Sequence, residues 1–189
     1  MAGTSTASLP APSAAEGTGN LGFCKLRGEI EADMSSDKTD VRVRTVEPHD
    51  LAAWKPLWDG YNAFYGRAGP TALPDEITRT TWQRFLDPKE PVFALVAESG
   101  GNLLGLTHYL FHRSTTRLGL TCYLQDLFTL PDARGQGVGR ALINAVCARV
   151  REQGLQRVYW QTHESNLAAR RLYDQVAEHE GFIVYSRTL

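Results

Sequence analysis

The chain has 189 residues, 42% of them apolar, and a formal net charge of -1, a balance that fits one globular domain with a sizeable core. It offers no broad basic field for nucleic acid, and no apolar run approaches the roughly 20 residues needed to span a bilayer. Three cysteines, Cys24, Cys122 and Cys147, are scattered without a C-x-x-C pair, so neither a disulfide framework nor a zinc site is indicated, and a reducing cytoplasm suits them.

Residues 1–39 are rich in Ala, Ser, Thr, Gly and Pro and hold no sustained period, which predicts a flexible low-complexity extension before a domain spanning 40–189. Glu16, Glu29, Glu31 and Asp33 argue against a transit peptide, and Met34 before SSDKTD is an alternative start. VRVRTV from Val41 to Val46 alternates strictly, the pattern of a half-buried strand. Pro48 to Tyr65 carries Leu51, Trp54, Leu57, Trp58, Tyr61, Phe64 and Tyr65 at helical spacing; core packing and an acceptor-pocket wall are both open readings of that stripe. Asp75 to Phe85 reads as a shorter helix ended by Asp87-Pro88.

VFALVAE and LLGLTHYLF flank Ser99-Gly100-Gly101-Asn102 and predict an antiparallel hairpin. A strand over Thr121 to Leu130 follows, then a helix from about Gly137 to Gln153 with Gly154 beyond its end. Arg157 to Thr162 is the next strand, its crossover through the helix implying a parallel pair. Trp160 and Thr162 alternate with Tyr159 and Gln161, so one set faces a cleft and the other a helix. A last helix capped by Ser165 or Asn166 and a closing strand over Phe182 to Arg187 complete a mixed α/β sheet with helices on both faces.

The junction Arg134-Gly135-Gln136-Gly137-Val138-Gly139-Arg140 joins strand to helix. A helix N-terminus carries unpartnered N–H groups and the positive end of the macrodipole, so it stabilises a phosphate. Glycines at 135, 137 and 139 let a pyrophosphate approach the amides of Gln136 to Arg140, with Arg134 and Arg140 as added donors. A dinucleotide fingerprint starting at Gly135 would need glycine where Arg140 stands, and a P-loop needs a Lys-Ser/Thr pair this turn lacks. A tight packing turn remains the competing reading of the glycines alone.

The order of elements together with RGQGVG resembles the (Q/R)-x-x-G-x-(G/A) motif of the GNAT superfamily of acetyl-CoA-dependent N-acetyltransferases. Asn166-x-x-Ala169-x-x-Leu172-Tyr173 resembles the second motif of that superfamily. YLQDLF and VYWQTHESN look most like the branch holding polyamine, histone-tail and D-amino-acid acetyltransferases. The resemblance implies six to seven strands, mostly antiparallel, with a central parallel pair that splays apart, commonly beside a bulge in the first of the two.

It also implies a site. Acetyl-CoA would lay its pyrophosphate on Arg134, Gly135, Gln136, Gly137, Val138, Gly139 and Arg140. Its pantetheine arm would pair with the edge at Leu127, Phe128 and Thr129, with Asn166, Ala169 and Tyr173 beside it. Tyr173 matches the general acid that protonates the departing thiolate. Asp126 is the candidate base, with a structural ion pair or a cap as its other reading; Gln125, Asp126, Tyr61 and Trp160 are the candidate acceptor contacts. His108 and His163 are expected to be surface or structural. The implied acceptor is a small primary amine, an amino acid or a polyamine-like molecule, attacked directly in a ternary complex, and the branch commonly forms homodimers through C-terminal elements. A non-catalytic CoA-binding module and a protein or peptide amine acceptor are the alternatives. No metal, membrane or nucleic-acid partner is expected.

Overall fold

The computed structural model describes residues 40–189; the expected extension over 1–39, Met34 and Cys24 lie outside them. Five strands form one sheet in the order β1-β2-β3-β4-β5. They are β1 (Arg42–Thr45), β2 (Val92–Ser99), β3 (Asn102–His112), β4 (Thr121–Thr129) and β5 (Val158–Tyr159). The helices are α1 (Leu51–Phe64), α2 (Asp75–Leu86), α3 (Val138–Glu152) and α4 (Leu167–Val176). β1 to β4 pair antiparallel, and β4 pairs β5 in parallel across the α3 crossover.

Alternation along the strands divides the interior in two. Ala94, Val96 and Leu106 face α1 and α2, where Trp54, Leu57, Trp58 and Trp82 fill one core. Leu95, Ala97, Tyr109, Cys122 and Leu124 face α3, whose Val138, Leu142, Val146 and Val150 fill the other, with Leu172, Tyr173 and Val176 of α4 packed against it. The aromatic stripe of α1 is therefore largely core.

An arginine clasp fixes the entry to α1. Arg44 on β1 donates through Nη1 and Nη2 to Asp50 (2.6 and 2.8 Å) and through Nε to Glu98 on β2 (2.7 Å). Asp50 also accepts from the Glu47 amide at 2.8 Å, closing the turn that starts the helix. The Arg44 hydrogen bonds hold the Asp50 carboxyl below its usual range.

The C-terminal part departs from expectation. The strand predicted over Arg157 to Thr162 is only Val158–Tyr159, and Phe182 to Arg187 forms no strand, so the count among the described residues is five rather than six to seven. A strand persists where a neighbour offers a ladder, and the two-residue β5 offers almost none. Phe182 and Tyr185 are left 82% and 88% exposed.

Candidate active site

The site begins with one extra residue. Across β3 and β4, His108 pairs with Asp126 but Tyr109 pairs with Leu124, so Gln125 is a bulge on β4. Strict alternation would send Asp126 to the face occupied by Cys122 and Leu124, the α3 core. The bulge switches the face: Asp126 joins Phe128 on the α1 side, and Gln125 opens onto the same space. A cleft of ≈ 610 Å³ lies there between α1, α2 and the sheet, with Tyr61, Tyr123, Gln125 and Asp126 in its lining.

Asp126 is 5% exposed and His108 2%. His108 Nδ1 and Asp126 Oδ2 are 2.9 Å apart, and the Trp54 indole donates to His108 Nε2 at 3.1 Å. An indole N–H only donates, so Nε2 accepts and the ring proton sits on Nδ1, from which it is donated to the carboxylate. Thr107 Oγ1 donates to the Asp126 carbonyl at 2.9 Å. On the cleft side the Tyr61 hydroxyl faces the same carboxylate; burial first, and Asp126 next, raise its pKa. Tyr123 is raised in the same way and stacks on Tyr159, whose hydroxyl meets His112 Nε2 at 3.1 Å.

β4 and β5 share only the pairs Cys122 with Val158 and Tyr123 with Tyr159. Past Tyr123 the strands part, leaving β4 from Leu124 to Thr129 without a partner strand on that edge among the described residues. At the end of this edge Gly135 and Gly137 adopt φ of 77° and 85°, the left-handed region that favours glycine. The Ala141 amide makes the first α3 turn to Gly137 O (2.9 Å), so Val138, Gly139 and Arg140 have no intrahelical acceptor for their amides. An open strand edge leading to a helix N-terminus fits an amide-bearing arm that ends in a diphosphate.

The glycines divide their work. A Cβ at Gly135 or Gly137 would meet nothing within 4 Å, whereas one at Gly139 would lie 3.1 Å from Leu172 Cδ2; Gly139 lets α3 and α4 approach. Arg140 donates to Gln175 of α4, Arg134 Nε to Thr129 O at 3.4 Å, and Gln136 Nε2 to Asp132 O at 2.8 Å. Asn166 caps α4, accepting from the Ala169 amide at 3.4 Å and donating to Thr162 Oγ1 at 3.0 Å. A recess of ≈ 520 Å³ between Asn166, His163 and the α1 end at Phe64 and Tyr65 adjoins this loop.

Tyr173 projects from α4 and packs edge-on against Trp160, centroids 5.4 Å apart. Burial pushes its pKa up to about 12, with a smaller contribution from Tyr65. Trp160, expected among the acceptor contacts, packs with the α3 core and does not line the ≈ 610 Å³ cleft; of the two alternating sets, Tyr159 is the one stacked beside the cleft residue Tyr123. Two further groups carry weak sequence signals. His108, expected at the surface or in a structural role, becomes notable only once the bulge sets Asp126 opposite it. Arg67, in the turn after α1, lines the cleft with no motif around it.

The pattern of the Acetyltransferase (GNAT) family matches residues 54–177. The chain is 36% identical over 164 residues to the D-amino-acid N-acetyltransferase HPA3 of Saccharomyces cerevisiae, covering 86% of this chain and 98% of that protein. It is 30% identical over 147 residues to the uncharacterized N-acetyltransferase YhfO of Bacillus subtilis, covering 77% and 95%. A solved structure of AAC(6')-Iy with the bisubstrate analog CoA-S-monomethyl-acetylneamine shares the fold at 16% identity and a TM-score of 0.65, over 79% of this chain and 98% of that one. The family match over most of the domain and the two sequence relatives together show that the chain belongs to the GNAT family of acetyltransferases, an N-acetyltransferase with acetyl-CoA as its co-substrate.

Proposed function

We propose that residues 40–189 form a domain that acetylates the primary amine of a small acceptor, an amino acid or polyamine-like molecule, by direct attack within a ternary complex. The observation that carries this is the placement of Asp126 by the β4 bulge, buried at the cleft floor beside the open edge of the same strand. Acetyl-CoA supplies an activated thioester. Leu127, Phe128 and Thr129 hold its arm, and the turn from Arg134 to Arg140 holds its diphosphate, with Asn166 and Ala169 alongside.

Asp126 takes the proton from the acceptor ammonium, directly or through one water, while His108 keeps the carboxylate oriented. The freed amine nitrogen forms a bond to the thioester carbon as the carbon–sulfur bond breaks. Tyr173, held protonated at neutral pH by its raised pKa, donates a hydrogen bond and then its proton to the departing sulfur, and the second proton that the nitrogen sheds as it becomes an amide returns through solvent to the Tyr173 oxygen. Gln125 and Tyr61 line the acceptor's approach.

Thiol release from acetyl-CoA across a panel of amino acids, diamines, polyamines and peptides tests the reading. Turnover with one or more small amines is expected; acetylation of peptide amines alone would overturn it. The HPA3 relative, named for D-amino acids, makes both amino-acid enantiomers necessary members of the panel. We also propose a homodimer assembled through the exposed apolar run Phe182, Ile183, Val184 and Tyr185, and a cytoplasmic setting in which Cys122 and Cys147 stay free thiols. Light scattering of the intact chain checks the first: a monomer at micromolar concentration would remove it. Among the described residues no helix is long and apolar enough to cross a membrane.

A further inference from the structure

We infer that Arg67 is the anchor for the carboxylate of an α-amino-acid acceptor, so that the cleft recognises a zwitterion with an apolar side chain rather than a polyamine. This rests on the small-acceptor reading above and narrows it. Two arginines line the cleft. Arg84 has a carboxylate near it, Glu90 Oε2 at 3.8 Å from its Nε. Arg67 forms no ion pair among the described residues, although it is half-buried.

Its position is built rather than incidental. Arg67 Nε donates to Asn62 Oδ1 at 2.7 Å, and Asn62, buried in α1, donates through Nδ2 to Trp58 O at 2.8 Å. The Arg67 amide returns to Asn62 O at 2.9 Å. The guanidinium carbon lies 5.7 Å from the Tyr61 ring centroid and 5.5 Å from that of Tyr65. One nitrogen is therefore spent on Asn62 and both ring contacts hold the plane, while the terminal nitrogens make no hydrogen bond to any described residue. A planar fork fixed at its base and open at its tip matches a carboxylate.

The counter-charge stands at the right place. Arg67 lies over the ring of Tyr61, whose hydroxyl faces Asp126, so cation and carboxylate are separated by the span of one tyrosine. An α-amino acid presents its ammonium and carboxylate one carbon apart and can meet both groups at once. A polyamine would bring a second cation toward Arg67. Leu73, Ile77, Phe85 and Leu110 provide the apolar remainder of the wall.

The test compares leucine, as both enantiomers, with 3-methylbutylamine, the same molecule without its carboxylate, in the full chain with saturating acetyl-CoA. Wild type is expected to favour leucine in kcat/KM. Arg67→Met keeps the stem over the tyrosines and removes the charge; it should shrink the leucine-to-amine ratio by about 10- to 100-fold, carried by KM, the range expected for one charge-assisted contact. Arg67→Lys should restore part of it. A thermal melt of Arg67→Met matching wild type excludes loss of fold. An unchanged ratio, or a wild type that prefers the amine, overturns the assignment while leaving acetyl transfer to small amines standing. Wild type that acetylates peptides only overturns both.

Discussion

Replacing Asp126 by asparagine separates a base from a structural acceptor. The introduced amide would retain an oxygen for the Nδ1 proton of His108, so the bond at 2.9 Å survives with its charge assistance removed. The difference between a charge-assisted and a neutral hydrogen bond is about 1–2 kcal/mol, a fall in Tm of about 2–8 °C for a domain of this size. As a general base the carboxylate contributes a factor of about 10²–10⁴ to turnover, far more than that local loss explains. Thiol release at saturating acetyl-CoA should show this deficit in kcat, with the KM for acetyl-CoA nearly unchanged. Because an acceptor amine deprotonates by itself at high pH, the deficit should narrow as pH rises toward the amine pKa. An Asp126→Asn protein with a lowered Tm and wild-type kcat would refute the reasoning and leave Asp126 as the partner of His108 only.

Tyr173→Phe keeps the packing on Trp160 and removes the hydroxyl; kcat should drop about 10²-fold or more, with acetyl-CoA binding by calorimetry almost unaltered, and wild-type turnover would exclude Tyr173 as proton donor. The Arg44 clasp predicts a pH signature. Asp50 has a folded-state pKa below its unfolded value of about 3.9, so its contribution is complete above that value and disappears as pH falls through the folded pKa. Asp50→Asn should therefore lose about 2 kcal/mol at pH 7, a gap that in urea melts begins to shrink only below about pH 4 and narrows steadily as pH falls further; a gap unchanged from pH 7 down to the lowest pH at which the protein stays folded would contradict the clasp. At Gly105 a Cβ would lie 2.6 Å from Phe128 O and 3.1 Å from Val138 Cγ1, so Gly105→Ala should force β3 away from β4 and lower stability by about 1–3 kcal/mol, measured as a shifted urea midpoint.

Legibility in the sequence follows the length of each periodic signal. α1, α3 and the β2–β3 hairpin each rest on several repeats of one period, and their observed bounds fall within three residues of expectation. The GNAT resemblance rests on residues whose backbone role is local, such as Gly137 at φ 85° before α3. A bulge leaves no such trace: Gln125 is one polar residue in YLQDLF, yet it decides which face receives Asp126. The Phe182 to Arg187 segment has the composition of a strand, but a strand is a property of a pair, and the sequence does not say where its partner would lie. Trp160 is ambiguous for the same reason, since alternation identifies two faces without naming them. Arg67 carries no signal because its setting is assembled by Asn62, Tyr61 and Tyr65 after the chain has turned.

The sheet with its two separate cores has a consequence for how such an enzyme diversifies. The turn from Arg134 to Arg140 and Tyr173 belong to elements packed on the α3 face, whereas the cleft is walled by α1 and α2 on the opposite face. β4 carries both the cleft residues Gln125 and Asp126 and the open edge that runs toward the turn. On the roles proposed above, substitutions at Leu73, Ile77 or Phe85 would reshape acceptor choice while leaving the α3 face in place.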